Sequence, residues 1–299
     1  MIRALLCLLF VVFIAPASAQ EIDNQSSSIQ VPIEVKVTSP DFSVMKHTKS
    51  GKIRKVIDGL TILLKDGTIV RLSSIYIPDF HIWEGADFSE TALKFLQEKL
   101  PENTEVMLYQ TRNTKWGRTN RMGHEMAHLV VKKDNFWLQG ALLAQGLAHV
   151  KTIPNSNDML EQMLSIEGKA RNLKIGIWSA DSEFKAIDVA DAQNKLGSFS
   201  IVEGKVKKIA TIRNNIYLNF GQDWKTDFTV MVTSKMRRDF AKKFINLQSL
   251  SGKTIRVRGN IREYNGPLIE LDTTAHLEIL DNAPNEALQN TEETPNLAP

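Results

Sequence analysis

The spacing of hydrophobic positions changes along this chain, and the changes divide it. Residues 4–14 form an unbroken apolar run behind Arg3, followed by the small residues Ala17-Ser18-Ala19. The run is too short to cross a bilayer, which takes about 20 residues. A basic start, an apolar middle and an A-x-A ending read as a secretory signal cleaved after Ala19. Residues 20–50 are rich in Ser, Gln and Asp with scattered Val and Ile, and read as a linker or loosely docked arm. From Gly51 the pattern has strand composition: Ile53, Val56, Ile62, Leu64, Ile69, Val70, Leu72 and Ile75. Asp66-Gly67 between two of these runs signals a tight hairpin. The period then lengthens. Ala92, Leu93, Leu96 and Leu100 recur at helical spacing behind Ser89, a candidate cap, and Pro101 ends them. Strands follow at 106–109 and 126–131, and a helix at 138–147. A third helix carries Leu160, Met163, Leu164, Ile166 and Ala170, with Ser156 or Asn157 as cap and a stop near Gly176.

Residues 180–196, with Asp181, Glu183, Asp188 and Asp191, read as a polar linker. Strand patterns return at 200–210, 216–220, 228–232, 254–261 and 268–271, with a helix at 234–244 between the third and fourth. Five strands with a helix after the third is the order of an OB barrel. The chain is thus expected to be mainly β with helices (α+β), in two domains at 51–179 and 197–280, with residues 281–299 as a disordered acidic tail.

Composition narrows the chemistry. The chain has 299 residues, 42% hydrophobic and 24% charged, as in ordinary soluble proteins. Its one cysteine, Cys7, lies in the signal segment, so the mature chain has no disulfide, thiolate nucleophile or Cys-ligated zinc. The formal net charge is +3, but the charge is segregated: residues 197–280 hold 14 Lys/Arg against 8 Asp/Glu, and residues 281–299 hold 4 acids and no Lys or Arg. A basic domain of this kind suits an acidic partner, and serves solubility equally well.

Two segments carry the most specific signal. Val56-Ile57-Asp58-Gly59-Leu60-Thr61 is followed by Arg71-Leu72-Ser73-Ser74-Ile75-Tyr76-Ile77-Pro78-Asp79. They resemble the V-I-D-G-D-T and R-L-x-x-I-D-x-P-E signatures of the staphylococcal-nuclease (thermonuclease) family. The segments 138–148 and 167–178 resemble that family's second and third helices. The resemblance implies a five-stranded OB-like barrel with about three helices, a bound calcium ion, a carboxylate general base and two phosphate-binding arginines. Carried over by position, Arg71 is the first arginine, Asp79 the base and Asp58 a metal ligand. The sequence departs from the pattern at Leu60 and Tyr76, which stand where the family has its calcium-binding carboxylates, and neither side chain supplies one. The second arginine has two alignments. A gapless one, through Asn120-Arg121-Met122-Gly123-His124, puts His124 there. One with a six-residue insertion, through Lys115-Trp116-Gly117-Arg118, puts Arg118 there. An imidazole cannot reproduce the bidentate fork of a guanidinium.

His124-Glu125-Met126-Ala127-His128 also spells H-E-x-x-H, the zinc-protease motif. That motif needs a helix. The apolar run after it and the resemblance both place it on a strand, where the two histidines stand about 13 Å apart.

In the second domain the candidate nucleic-acid ligands are Lys205, Lys207, Lys208 and Arg213 near the first strand, and Arg256, Arg258 and Arg262 alternating on the fourth. Tyr217, Trp224, Phe220 and Tyr264 are the candidate stacking residues. The competing reading makes the arginines a solvated face and some of the aromatics core. The 217–221 and 256–260 segments look like the C-terminal domain that accompanies nuclease-like domains in some bacterial proteins. The chain is therefore expected to be exported (bacterial periplasmic or secreted), with no stable membrane span after signal cleavage. It reads as a degenerate nuclease that binds nucleic acid or an envelope partner, with calcium bound only if the site is active. The alternatives are an active metal-dependent endonuclease and a protein-binding envelope module.

Overall fold

A computed structural model describes residues 37, 39–78, 88–152 and 157–281. The signal segment, most of the 20–50 arm and residues 282–299 of the tail lie outside the described residues. The first domain contains, in order, β1 (Met45–Asp58), β2 (Thr61–Leu64), β3 (Ile69–Leu72), β4 (Ile75–Tyr76), α1 (Phe88–Lys99), β5 (Glu105–Thr111), β6 (Glu125–Val131), β7 (Phe136–Trp137), α2 (Leu138–Ala144), β8 (His149–Val150) and α3 (Leu160–Asn172).

The long β1 pairs with β5 along its first half and with β2 along its second. β2 pairs with β3, β5 with β6, and a parallel pairing of β3 with β6 closes the barrel. Alternation decides what fills it: Ile53, Val56, Ile62, Leu64, Val70, Leu72, Val106, Leu108, Ala127 and Leu129 are buried, while most residues between them along the strands are not. α1 lays Ala92 and Leu96 on the core, and every residue of α2 is buried. Gln139 fixes α2 to β6: its Oε1 accepts from Leu129 N–H (3.1 Å) and its Nε2 donates to the Ala127 carbonyl (2.8 Å), which meets the cost of burying the amide.

Two boundaries differ from expectation. The arm ends earlier than residue 50, since β1 starts at Met45 and Phe42 stacks on Tyr109 at 4.2 Å. Residues 180–196 are not a free linker: β9 (Ile187–Asp188) joins the second sheet and Ala192 is fully buried in the second core. Caps differ too. Ser89 lies within α1 and donates to the Pro78 carbonyl. α3 starts behind Met159, whose φ is +62°, with no side-chain cap, because Asn157 accepts a hydrogen bond from Thr273 of the second domain. Ser156 lies outside the described residues.

After β9 the second domain runs through β10 (Phe199–Lys205), β11 (Lys208–Ile212), β12 (Asn215–Asn219), β13 (Thr229–Val232), α4 (Ser234–Lys242), β14 (Thr254–Glu263), β15 (Pro267–Glu270) and β16 (Leu277–Ile279). The neighbour order is β11-β12-β13-β15-β14-β10-β9, with β16 alongside β14. β13 and β15 are parallel, as β3 and β6 are in the first barrel. The sequence ran β10 and β11 together; Val206 and Lys207 break them, and Val206 is buried.

The domains meet around Arg258, which is 1% exposed. Its Nη1 donates to the Val150 carbonyl and to Glu167 Oε1, both at 3.1 Å, and its Nη2 reaches Glu278 Oε1 at 2.5 Å. Glu167 on α3 is itself fully buried and also accepts from Val150 N–H at 2.8 Å. Thr152 meets His276 at 3.1 Å, and Tyr76 packs on Phe199 with ring centroids 5.1 Å apart.

Candidate functional site

A cleft of about 470 Å³ opens where the turn after β1 meets the start of α1; Asp58, Leu60, Arg71, Tyr76, Glu90 and Leu93 are among its walls. The turn places Asp58 because its Oδ1 accepts the Leu60 N–H at 2.7 Å, tying the carboxylate to its own loop. Thr61 and Arg71 are cross-strand partners on β2 and β3, so Arg71 faces the same side; its Nη1 donates to Thr61 Oγ1 (2.7 Å) and lies 3.5 Å from Asp58 Oδ2. Asp58 and Arg71, both predicted, therefore meet. Asp79 lies outside the described residues.

Among the described residues the donor set does not fit a calcium ion. Such an ion takes six to eight oxygens, carboxylates prominent among them. Asp58 already holds a backbone N–H and faces a guanidinium, and Leu60 offers only methyl groups, packed toward the core. Tyr76 turns its ring to Phe199, with Lys151 Nζ 4.8 Å from the ring centre. Glu90, which the sequence reading missed, brings a second carboxylate, but it is ion-paired with Lys94 at 2.6 Å. Its signal was the Ser89-Glu90 pair opening α1 next to the strand signature. Among the described residues no three His, Cys, Asp or Glu side chains cluster as metal ligands would.

Neither candidate for the second arginine lines the cleft. Arg118 Nε donates to the Thr111 carbonyl at 2.9 Å and so serves its own hairpin. His124 stands just before β6 with a buried Nδ1 that has no hydrogen-bond partner. Continuing the β3–β6 register, in which Arg71 sits opposite Met126, places His124 on the same barrel face as Arg71. From Glu125 onward the H-E-x-x-H segment is strand. His128 is buried, takes the Trp137 Nε1–H on its Nδ1 at 3.2 Å, and burial pushes its pKa down to about 3.

A larger groove, about 790 Å³, lies on the second sheet over β11, β12, β13 and β15. Six predicted residues line it: Lys208, Arg213, Tyr217, Trp224, Arg262 and Tyr264. Asn215 and Asn219 join them; the sequence reading missed both although they alternate with the buried Ile216 and Leu218. Lys205 and Lys207 stand outside its lining. Arg256 and Arg258 are corrections. Alternation does put them on one face, but that face is covered: Arg256 is buried against Glu203 and Glu278, and Arg258 sits in the domain interface. Neither is available to a polyanion.

Residues 69–180 match the family model described as Staphylococcal nuclease homologue. No curated protein matches the chain. The matched residues take in β3 through α3, including the parallel β3–β6 pairing that closes the first barrel. The N-terminal domain of this chain is a staphylococcal-nuclease-like barrel.

Proposed function

We propose that this chain is an exported, catalytically degenerate relative of staphylococcal nuclease that binds nucleic acid without hydrolysing it efficiently. The observation that carries the reading is the state of the Asp58 cleft. One carboxylate is committed to Leu60 N–H and Arg71, and the two positions that would complete a calcium site are a leucine and a domain-packing tyrosine. Each lost charge-assisted contact is worth roughly 1.5–3 kcal/mol, enough in pairs to empty a modest cation site. Arg71 keeps a guanidinium in the cleft, beside the carboxylates of Asp58 and Glu90. The basic Arg3, the apolar run over residues 4–14 and the small residues Ala17-Ser18-Ala19 support export.

The test is a cleavage assay on single-stranded and duplex DNA and RNA, with calcium, magnesium or EDTA, beside a binding titration at two salt concentrations. The expected result is salt-sensitive binding without cutting, and calcium-dependent cutting in a Leu60→Asp/Tyr76→Asp variant. Metal-dependent cutting by the unaltered chain, abolished by Arg71→Ala, would replace this reading with an active phosphodiesterase. Absence of any salt-dependent binding would leave a protein-binding envelope role, because phosphate contacts release counterions and carry a salt slope.

A further inference from the structure

We propose that the groove on the second domain is the nucleic-acid site, and that it takes a single strand, with bases stacked on Tyr217, Trp224 and Tyr264 and phosphates held by Lys208, Arg213 and Arg262. This inference rests on the reading above and adds the place and the form of the ligand.

Register puts the groove residues on one surface. Lys208 pairs with Asn219, Asn219 with Thr229, Thr229 with Leu268 and Leu268 with Arg262, so one row of side chains crosses five strands. Tyr217 stands in the next row, between Ala210 and Met231. At about 4.8 Å per strand the row is roughly 19 Å wide, enough for several nucleotides. Ile216, Leu218 and Val230 point the other way into the core, while Asn219, Thr229, Met231 and Leu268 form the largely buried floor of the groove.

The aromatics are presented rather than buried. Trp224 is 57% exposed and Tyr264 is 54% exposed, in a domain that buries Phe220, Phe228 and Phe240. Both have cations at hand: Arg262 lies 5.5 Å from the Tyr264 ring centre and Lys225 5.8 Å from that of Trp224. Two tight turns fix the rim. Arg213 and Asn214 have φ of +48° and +68°, and Asn265 and Gly266 have +50° and +84°. Asn and Gly suit such turns, but Arg213 holds a strained left-handed backbone, and its side chain reaches the groove.

Charge selects the ligand. The lining has three cations and no carboxylate. Arg262 pairs with Glu270 at 3.0 Å, but both are half-exposed, a pairing a phosphate can displace. A rigid duplex keeps its bases stacked inside, so exposed aromatics at the floor and rim favour a single strand. The uncharged amide of Asn215 lines the groove without opposing a polyanion, while Asn219 is buried in its floor and accepts from Thr229.

The experiment is fluorescence anisotropy of labelled ten-nucleotide oligo(dT), oligo(rU) and a ten-base-pair duplex on the full chain, at 50 and 200 mM salt. Three phosphate contacts on a single strand predict roughly 20-fold weaker binding at the higher salt. Trp224→Ala and Tyr264→Ala are each expected to weaken single-strand binding roughly 5- to 150-fold, with thermal unfolding unchanged because both side chains are exposed. The thymidine and uridine arms say whether DNA or RNA is preferred. If oligonucleotides bind with a salt slope but both variants bind as the unaltered chain does, the groove is not the site and only this inference falls. If no oligonucleotide binds, or the groove instead takes a neutral oligosaccharide without salt dependence, the nucleic-acid reading falls with it.

Discussion

Tyr76 stands where the resemblance places a carboxylate, and its ring packs instead against Phe199 of the second domain, with the Lys151 ammonium close to both rings. A small acid there would lose that contact, so the change in the cleft and the docking of the second domain are tied to one residue. Two buried histidines set a different property. His128 and His149 have pKa values pushed down from 6.5 to about 3, in both cases chiefly by burial, with the nearby Arg258 adding to the effect at His149. The folded chain keeps both neutral, while the unfolded chain takes up protons from about pH 6.5 downward. Their contribution to stability is therefore complete above pH 6.5 and is lost as pH falls toward 3, at up to about 1.4 kcal/mol per pH unit for each. Denaturant midpoints measured from pH 7 to pH 4.5 are expected to fall, with a shallower slope in a His128→Asn/His149→Asn variant.

Among the elements, α2 and α3 end in reversals that touch backbone to backbone. Gly146 and Gly176 both have φ of +59°, and the Ile177 N–H donates to the Gly146 carbonyl at 2.8 Å. A Cβ at position 146 would collide with the Ile175 carbonyl, and one at 176 with the Gly146 carbonyl. Gly146→Ala and Gly176→Ala are each expected to cost about 2 kcal/mol or more, read as a lowered urea midpoint, because a left-handed backbone and a backbone clash add. Gly67 also has a positive φ, but a Cβ there meets nothing, so Gly67→Ala should cost only the left-handed term. The sequence signalled that α3 stops near Gly176, but not that the stop is a contact with Gly146. The α3 start shows the same limit: Asn157 has the chemistry of a cap, yet tertiary structure spends it on Thr273.

For the whole molecule the decisive group is Arg258. Burial opposes its charge, but Glu167 and Glu278 outweigh that and hold its pKa above the ordinary value, while Arg258 and Arg256 hold Glu278 below its own against the same burial. The arginine from β14 thus completes a hydrogen-bonding set that begins in α3 and β8 of the other domain. Arg258→Ala takes the nearest counter-charge from the fully buried Glu167 and is expected to cost about 3–5 kcal/mol, seen as a lowered thermal midpoint and as new protease cleavage between the domains. Arg262→Ala removes a half-exposed pair and should change stability by less than about 1 kcal/mol. Equal losses in the two variants would show that Arg258 does not lock the domains.

The sequence by itself determined what depends on local order. Period-2 runs and Asp66-Gly67 gave the strands of the first barrel, and period-3.6 runs gave its helices. The motif around Asp58 and Arg71 marked a pair that the fold brings within 3.5 Å. Only the tertiary structure decided which polar residues face water. Arg256, Arg258 and Arg262 alternate identically along β14, yet the first two are covered by carboxylates from other elements and the third opens on a groove. Alternation fixes the face on which a side chain lies, whereas what covers that face is supplied by segments far away in sequence. Burying a guanidinium is favourable only when those distant segments bring its counter-charges with them.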